Sequence, residues 1–359
     1  EMIRRAQAIV DELKVGIDVR QKVGELSIAK QQMIEICRAL LSKAKVIVMD
    51  EPTSSLTQTE IEQLFEQIRK LKEDGIAIIY ISHRMEEIFQ ISDSITVLRD
   101  GALIGTKKAC ELDNRKIIEM MVGRDLDNYM RSDAVFDIKD VCLEVKNLNN
   151  KKLKDISFTL RKGEVLGFAG LVGAGRSEMA RAVFGIDRID SGQILVNGRE
   201  VKIRNASDAI RSGIGYVPES RKEEGLVLSN SIKFNLTISV LEQFIKGCFV
   251  NRKKEMELID EYVNKLSIKM ASAEQLVQYL SGGNQQKVVV SKWLATKPDI
   301  LILDEPTRGI DIGAKTEIYH LIVEMAKAGV AVLLISSEME EIMNLSTRIV
   351  VMYEGRIKA

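Results

Sequence analysis

The sequence predicts an α/β protein whose core, a doubly wound sheet of parallel strands covered by helices, occurs twice in one chain. Three observations predict it: short continuous apolar runs alternate with amphipathic helical stretches, long segments match at one fixed displacement, and a glycine-rich turn joins an apolar strand to a helix. A length of 359 residues leans toward two domains, and 45% apolar content is ample for two cores. Lys plus Arg and Asp plus Glu each number 52, so no net field draws the chain to nucleic acid or to an anionic membrane. Cys37, Cys110, Cys142 and Cys248 lack the spacing of a zinc site or a disulfide framework and are expected to be buried apolar residues. No apolar run approaches the roughly 18 residues of a membrane span, and the segment from Glu1 to Arg5 does not resemble a signal peptide. Any membrane association is therefore expected to come through a partner.

The repeat sets the order of the elements. Leu26-Ser27 matches Leu280-Ser281, Asp50-Glu51-Pro52-Thr53 matches Asp304-Glu305-Pro306-Thr307, and Ile81-Ser82-His83 matches Ile335-Ser336-Ser337, each 254 residues apart. Solenoid repeats recur every 20 to 50 residues or so, so this displacement means domain duplication. Val46 to Met49 and Ile300 to Leu303 are predicted strands buried on both faces of a parallel sheet. A helix follows in the first copy. Ile61, Leu64, Phe65, Ile68 and Leu71 keep three-and-four spacing, Thr57 with Glu60 offers a capping box, and Gly75 ends it. Ile76 to Ile81 is a second buried strand, and Val97 to Leu103 a hairpin turning at Asp100-Gly101. Periodicity fades between Asp125 and Asp140, so the expected division is residues 1–125 for the first copy, 126–139 for a linker and 140–359 for the second copy.

The chemistry-bearing residues fall into three groups. Gly170, Gly173, Ala174, Gly175, Arg176 and Ser177 follow the apolar strand Val165 to Ala169 and open a helix at Glu178, the context of a phosphate loop. Glycines let backbone N–H groups wrap phosphate, and the helix start adds a favourable field. Arg176 stands where such loops carry Lys, and its planar guanidinium is larger than an ammonium. The second group is Ser281-Gly282-Gly283-Asn284-Gln285, whose hydroxyl and unshielded N–H groups suit a terminal phosphate. The third is the acidic pair closing each buried strand. Asp50 or Asp304 is placed to orient waters on Mg²⁺, and Glu51 or Glu305 to accept a proton from attacking water.

Phosphate loop, LSGG-type signature and a hydrophobic strand ending in Asp-Glu-Pro-Thr, in that order, resemble the ABC (ATP-binding cassette) ATPase family. The resemblance implies a P-loop NTPase core with a helical signature subdomain, duplicated in tandem, with the first copy incomplete. It implies ATP and Mg²⁺ as ligands, with Asp50, Asp304 and Ser177 at the metal and Ser27, Ser281, Gly282, Gly283 and Gln285 with the phosphate loop at the nucleotide. Glu51, His83 and Glu305 take the catalytic positions, His83 standing where the family keeps a histidine that contacts the γ-phosphate and the attacking water. His320, whose counterpart is Glu66, is expected to have no role.

The copies differ. Ile28 and Ala29 replace Gly282 and Gly283, which obstructs approach to phosphate and makes a positive φ costly; Ser337 replaces His83; Glu219 stands near the expected glutamine loop. The family pairs its domains head to tail, each ATP between one phosphate loop and the opposite signature, so Arg176, Glu219, Ser337 and Ile28-Ala29 are expected to fall in one weak site. Asp50, Glu51, His83, Ser281, Gly282 and Gly283 then form a competent one. Its phosphate loop is expected about 84 residues upstream of residue 1, so the chain as given is not expected to turn over ATP normally.

The segments GLVGAGR, LSGGNQQKV, DEPTRGIDIGAK and YISHRMEEIF are similar to those of ATP-binding subunits of ribose, galactose and related monosaccharide importers. That implies integral-membrane permease subunits as partners, an extracytoplasmic sugar-binding protein acting through them, no nucleic acid, and a peripheral place on the cytoplasmic face of a bacterial plasma membrane, with Glu219 in a coupling loop. Ser220 stands where these proteins commonly carry Asp. Gly225 to Leu228 looks ribose-like, whereas Ser54-Ser55 looks galactoside-like. Two alternatives stay open: a soluble tandem ABC ATPase unconnected with transport, and a non-hydrolysing regulatory ATP-binding protein.

Overall fold

The computed structural model describes residues 1–12, 16–41, 44–53, 56, 58–82, 84–99, 101–122, 137–171, 173–246 and 249–359. His83, Thr57, Asp100, Val172, Cys248, Ser54-Ser55 and most of the expected linker lie outside them, as do the side chains of Ile28 and Ala29. The chain forms two compact units, Glu1–Arg124 and Asp125–Ala359. No helix among the described residues is long and apolar enough to cross a membrane.

In the first unit, α1 (Met2–Glu12) and α2 (Ile28–Leu41) precede β1 (Val46–Asp50), α3 (Gln58–Glu73) and β2 (Ala77–Ile81). β1 and β2 pair in parallel, Asp50 opposite Ile81, so α3 is the crossover helix of a βαβ unit. Its predicted stripe of Ile61, Leu64, Phe65, Ile68 and Leu71 is buried against Ile47 and Met49. The two strands are not buried on both faces as expected. They alternate, with Val46, Val48, Ile79 and Ile81 about half exposed, because α3 covers one face of this two-stranded sheet. α4 (Met85–Ile91), the hairpin β3 (Ser94–Arg99) and β4 (Ala102–Lys108), and α5 (Asn114–Val122) complete the unit, with Gly101 at φ +76° where the chain turns.

The second unit opens with β5 (Val141–Asn149), β6 (Ile156–Arg161), β7 (Val165–Ala169) and α6 (Arg176–Val183). β8 (Ser191–Val196), β9 (Arg199–Val201), α7 (Ala206–Arg211), β10 (Ile214–Val217) and α8 (Ile232–Thr237) follow. Then come the short pair β11 (Ile245–Lys246) and β12 (Phe249–Val250), α9 (Arg252–Lys265), α10 (Gly282–Leu294), β13 (Ile300–Asp304) and α11 (Ile312–Lys327). β14 (Ala331–Ile335), α12 (Met339–Leu345), β15 (Arg348–Tyr353) and β16 (Arg356–Ile357) end it. The main sheet runs β10-β13-β14-β7-β15-β16, parallel except for the last pair, and an antiparallel sheet runs β6-β5-β8-β9. β7, β10, β13 and β14 are wholly buried, as continuous Val, Ile and Leu runs require. α8, α9 and α10 pack together as a helical region.

The sheet order positions the site. β13, β14 and β7 are parallel neighbours, so their carboxyl ends bring together Asp304-Glu305, Ser336-Ser337 and the loop from Gly170. Ligands of open α/β sheets bind at that edge. Of the cysteines, Cys37 and Cys142 are buried as expected, but Cys110 is exposed because its short turn after β4 lies on the surface.

Candidate functional site

The loop after β7 is shaped by glycine. Gly170, Gly173 and Gly175 have φ of +154°, +81° and +102°, a region that penalises any residue with a Cβ. At Gly170 a Cβ would lie 2.5 Å from the Met352 carbonyl oxygen, whereas at Gly173 it would meet nothing within 4 Å. The turn is packed from beneath and open above, as a cradle for a bound group must be. Ala174 is buried beneath it, with its carbonyl accepting from the Gly355 N–H at 2.9 Å. α6 begins at Arg176, two residues before the expected Glu178, because Gly175 is its cap. Arg176 and Ser177 therefore sit in the first turn, where N–H groups are unbonded within the helix and the field favours an anion.

Ser177 and Asp304 meet. The Ser177 hydroxyl donates to Asp304 Oδ1 at 3.0 Å, and the Tyr216 hydroxyl donates to Oδ2 at 3.2 Å. Asp304 has no exposed surface, and burial pushes its carboxyl up to about 6; the two hydroxyls pull it down, the neighbouring Glu305 charge adds to the rise and Arg176 opposes it. This hydroxyl and carboxylate form an all-oxygen pair, and no cluster of three or more acidic, His or Cys groups accompanies it among the described residues. That set fits Mg²⁺, which uses few protein oxygens and keeps waters and phosphate oxygens as its other ligands. Asp50, at the same position in the first unit, is exposed.

Glu305 adopts φ +49° and Glu51 φ +44°, each with its N–H bonded at 2.9 Å to the last residue of the neighbouring strand, Ile335 or Ile81. A non-glycine residue held there costs about 1–3 kcal/mol, and such strain clusters where a side chain has a task. Glu305 is engaged within its own unit. Arg176 Nη2 lies 3.5 Å from Glu305 Oε1, Arg176 Nη1 donates to the Ser336 carbonyl, and the Ser337 hydroxyl donates to Glu305 Oε2 at 3.0 Å. The two departures predicted from sequence, Arg176 and Ser337, thus converge on one carboxylate.

The signature residues form a separate group. Ser281 caps α10, its hydroxyl accepting from the Asn284 N–H at 3.4 Å and from the Asn284 side chain at 2.9 Å, and Ser27 caps α2 in the same manner through the Lys30 N–H at 3.4 Å. Gly282 and Gly283 are helical and not at positive φ, so the expected cost of a positive φ does not apply at this position of the second copy, where instead the neighbours stand close. A Cβ on Gly282 would lie 2.8 Å from Arg221 Nη2, and one on Gly283 2.6 Å from the Ala314 Cβ. Gln285 departs from its expected place at the nucleotide. It is 4% exposed and its amide donates to the Val277 carbonyl at 3.2 Å, because the helical turn after Ser281 points it into the core.

Sequence reading missed Tyr216 and Arg221. Arg221 donates to the carbonyls of Arg308 and Gly309 at 2.8 and 3.0 Å, and Glu219 pairs with Arg308, so the loop after β10 is stapled to the loop after Glu305. Neither contact has a spacing that a sequence displays. His320 lies on α11.

A glycine-rich phosphate cradle, a serine and an aspartate meeting beside it, and a glutamate next to them at the carboxyl edge of a doubly wound sheet define an ATP-binding P-loop protein. The chain belongs to the ABC transporter family: the family's ATP-binding profile matches residues 1–54 and 153–308. It is 48% identical over 349 residues to the ribose import ATP-binding protein RbsA of Bacillus subtilis, covering 97% of this chain and 70% of that protein. It is 48% identical over 357 residues to RbsA of Lactococcus lactis subsp. cremoris, covering 99% and 72%. A provisionally named ribose/galactose/methyl galactoside import ATP-binding protein of Geobacillus kaustophilus is also 48% identical, covering 99% and 71%. Among solved structures, a nucleotide-free ATP-binding cassette of an ABC transporter superposes with a TM-score of 0.54 at 20% identity, covering 61% of this chain and 90% of that one. That likeness shows the ABC ATPase fold.

Proposed function

We propose that this protein is the ATP-hydrolysing subunit that energises import of a monosaccharide of the ribose or galactose type. It would work through integral-membrane permease subunits supplied by an extracytoplasmic sugar-binding protein, seated peripherally on the cytoplasmic face of the bacterial plasma membrane. The observation that carries this reading is 48% identity along nearly the whole chain to ribose import ATP-binding proteins, joined to a built phosphate cradle. Equal numbers of acidic and basic residues argue against a nucleic-acid partner.

In this reading Gly170, Gly173, Ala174, Gly175, Arg176 and Ser177 hold phosphate, and Ser177 with Asp304, and Asp50 in the first copy, hold Mg²⁺, which when bound neutralises phosphate charge. Ser27, Ser281, Gly282 and Gly283 present helix starts to nucleotide, and Glu219 belongs to the segment that passes motion to the permease. Glu51 takes a proton from the attacking water, and His83 has the family's role at the γ-phosphate. Glu305 has the same position, but its carboxylate oxygens are engaged by Arg176 and Ser337 in place of an attacking water. The two copies are therefore unequal, and the first carries most of the turnover.

Replacing Glu51 by Gln and, separately, Glu305 by Gln in the intact transporter tests this. Glu51→Gln should lower ATPase activity by about 10² or more, the span of one general base, and stop sugar uptake, while Glu305→Gln costs less. Equal losses would overturn the inequality. ATPase activity indifferent to the permease and to sugar would overturn the transport reading.

A further inference from the structure

Beneath the acidic pair of each copy lies a buried carboxylate that the reaction described above does not use. Glu87 on α4 is 5% exposed and accepts four hydrogen bonds. Thr53 Oγ1 and Tyr80 Oη donate at 2.8 Å each, Ser82 Oγ at 3.0 Å and Arg84 Nη1 at 3.2 Å. Thr53 is the second residue after Glu51, and Ser82 and Arg84 flank His83 in the sequence. One carboxylate therefore binds the loop that carries Glu51 to both neighbours of His83. Charge-assisted bonds to hydroxyls are directional, and a network in which every donor is used holds its members in one arrangement. An apolar side chain of this volume would fill the same space without that geometry.

The second copy keeps half of this arrangement. Glu341, 254 residues on from Glu87, is 2% exposed and accepts from Thr307 Oγ1 at 3.1 and 3.2 Å. Tyr80 has become Leu334 and Arg84 has become Glu338, while Phe65 has become Tyr319, whose hydroxyl bonds Thr307 and not the carboxylate directly. At the Arg84 position stands a like charge, Glu338, which Lys315 pairs with. Burial first, and the Glu338 charge after the opposing Ser336 and Thr307 bonds, push the Glu341 carboxyl up to about 7. In the first copy Arg84 pairs with Glu87.

We infer that Glu87 is a positioning residue for ATP hydrolysis: it clamps the segment bearing His83 to the loop bearing Glu51, and the second copy lacks the direct bonds that Tyr80 and Arg84 make in that clamp. This rests on the reading of Glu51 and His83 as the hydrolytic pair. It adds a difference between the copies that is independent of Arg176, Ser337 and the signature.

The test uses the intact transporter, with Glu51→Gln as reference. Glu87→Gln keeps shape but turns an NH2 toward donors. It should lower kcat by about 10²-fold with KM for ATP unchanged, the cost of misplacing a catalytic group by about 1 Å. Thr53→Val should lower kcat, Thr53→Ser should restore it, and Thr53→Val should add little on top of Glu87→Gln. Glu341→Gln should leave kcat within a few-fold. Should Glu87→Gln fail to fold, Ser82→Ala and Thr53→Val each delete a single donor and carry the same test. A wild-type kcat in Glu87→Gln beside an inactive Glu51→Gln overturns the clamp alone. An active Glu51→Gln overturns the underlying reading instead. Equal losses from Glu87→Gln and Glu341→Gln, or KM and the melting midpoint shifting along with kcat, would reduce Glu87 to a structural residue and refute the inference.

Discussion

Removing the Arg176 guanidinium should expose how much the phosphate cradle depends on its internal ion pair. Arg176 and Glu305 lie 3.5 Å apart, with side chains only 8% and 10% exposed. At that distance and an effective permittivity of about 20, the attraction is about 5 kcal/mol. Much of it is offset by stripping water from both ions, so the pair adds little net stability; deleting one partner alone costs about 3–5 kcal/mol because the other charge stays buried. Ser337 still donates to Glu305, and water can enter the space vacated by Arg176, which places Arg176→Ala at the lower end, about 3 kcal/mol. The single tryptophan of the chain, Trp293, is buried edge-on to Phe184 at 5.3 Å in the second unit, so its fluorescence during urea unfolding without nucleotide reports that unit. Adding Glu305→Gln to Arg176→Ala removes the orphaned charge and should recover about 2 kcal/mol as a coupling energy. A cycle additive to within about 0.5 kcal/mol would show that the two side chains do not sense each other and would refute the engaged-carboxylate account.

Other outcomes follow from the same packing. Lys292, buried with its Nζ donating to the Gly225 carbonyl at 2.6 Å, is pushed down to about 8 by burial, although the Trp293 face at 5.1 Å favours the charged form. The unfolded chain holds this proton up to about pH 10 and the folded chain releases it near 8, so the second unit gains stability between those limits as pH rises; Lys292→Met, followed by Trp293 fluorescence, should lose that gain and be more stable by about 1 kcal/mol near pH 7. Gly283→Ala would bring two rigid methyl carbons to 2.6 Å and force α10 from α11. Overpacking of about 1–3 kcal/mol, less up to about 1 kcal/mol of helix propensity, leaves a net loss of about 1 kcal/mol, measurable as a melting shift of about 2–4 °C.

The repeat and the motifs made most of the architecture legible. Continuous apolar runs identified β7 and β13, the stripe from Ile61 to Leu71 identified α3, and Asp-Gly identified the hairpin of β3 and β4. The same reading expected β1 and β2 to be buried on both faces, as their counterparts β13 and β14 are, but within residues 1–124 they form a two-stranded sheet with one face covered. It misplaced Gln285 because a motif position gives no direction for a side chain. The Glu87 network was present in the repeat, since Thr53, Ser82 and Glu87 recur as Thr307, Ser336 and Glu341 at the same displacement. A glutamate in a helix looks solvated until the fold is known.

From residue order alone came the duplication, the glycine-rich turn between strand and helix, the acidic residues ending buried strands, and the differences at Arg176, Ser337 and the Ile28-Ala29 signature. These are local constraints on backbone and chemical type, and the chain writes them consecutively. Tertiary structure alone decided that Arg176 and Ser337 reach Glu305, that Tyr216 reaches Asp304 across 88 residues, and that Glu87 gathers its four donors. Hydrogen bonds and ion pairs act over about 3 Å, and which groups come that close depends on strand order and helix facing. Those quantities exist only once the sheet is assembled.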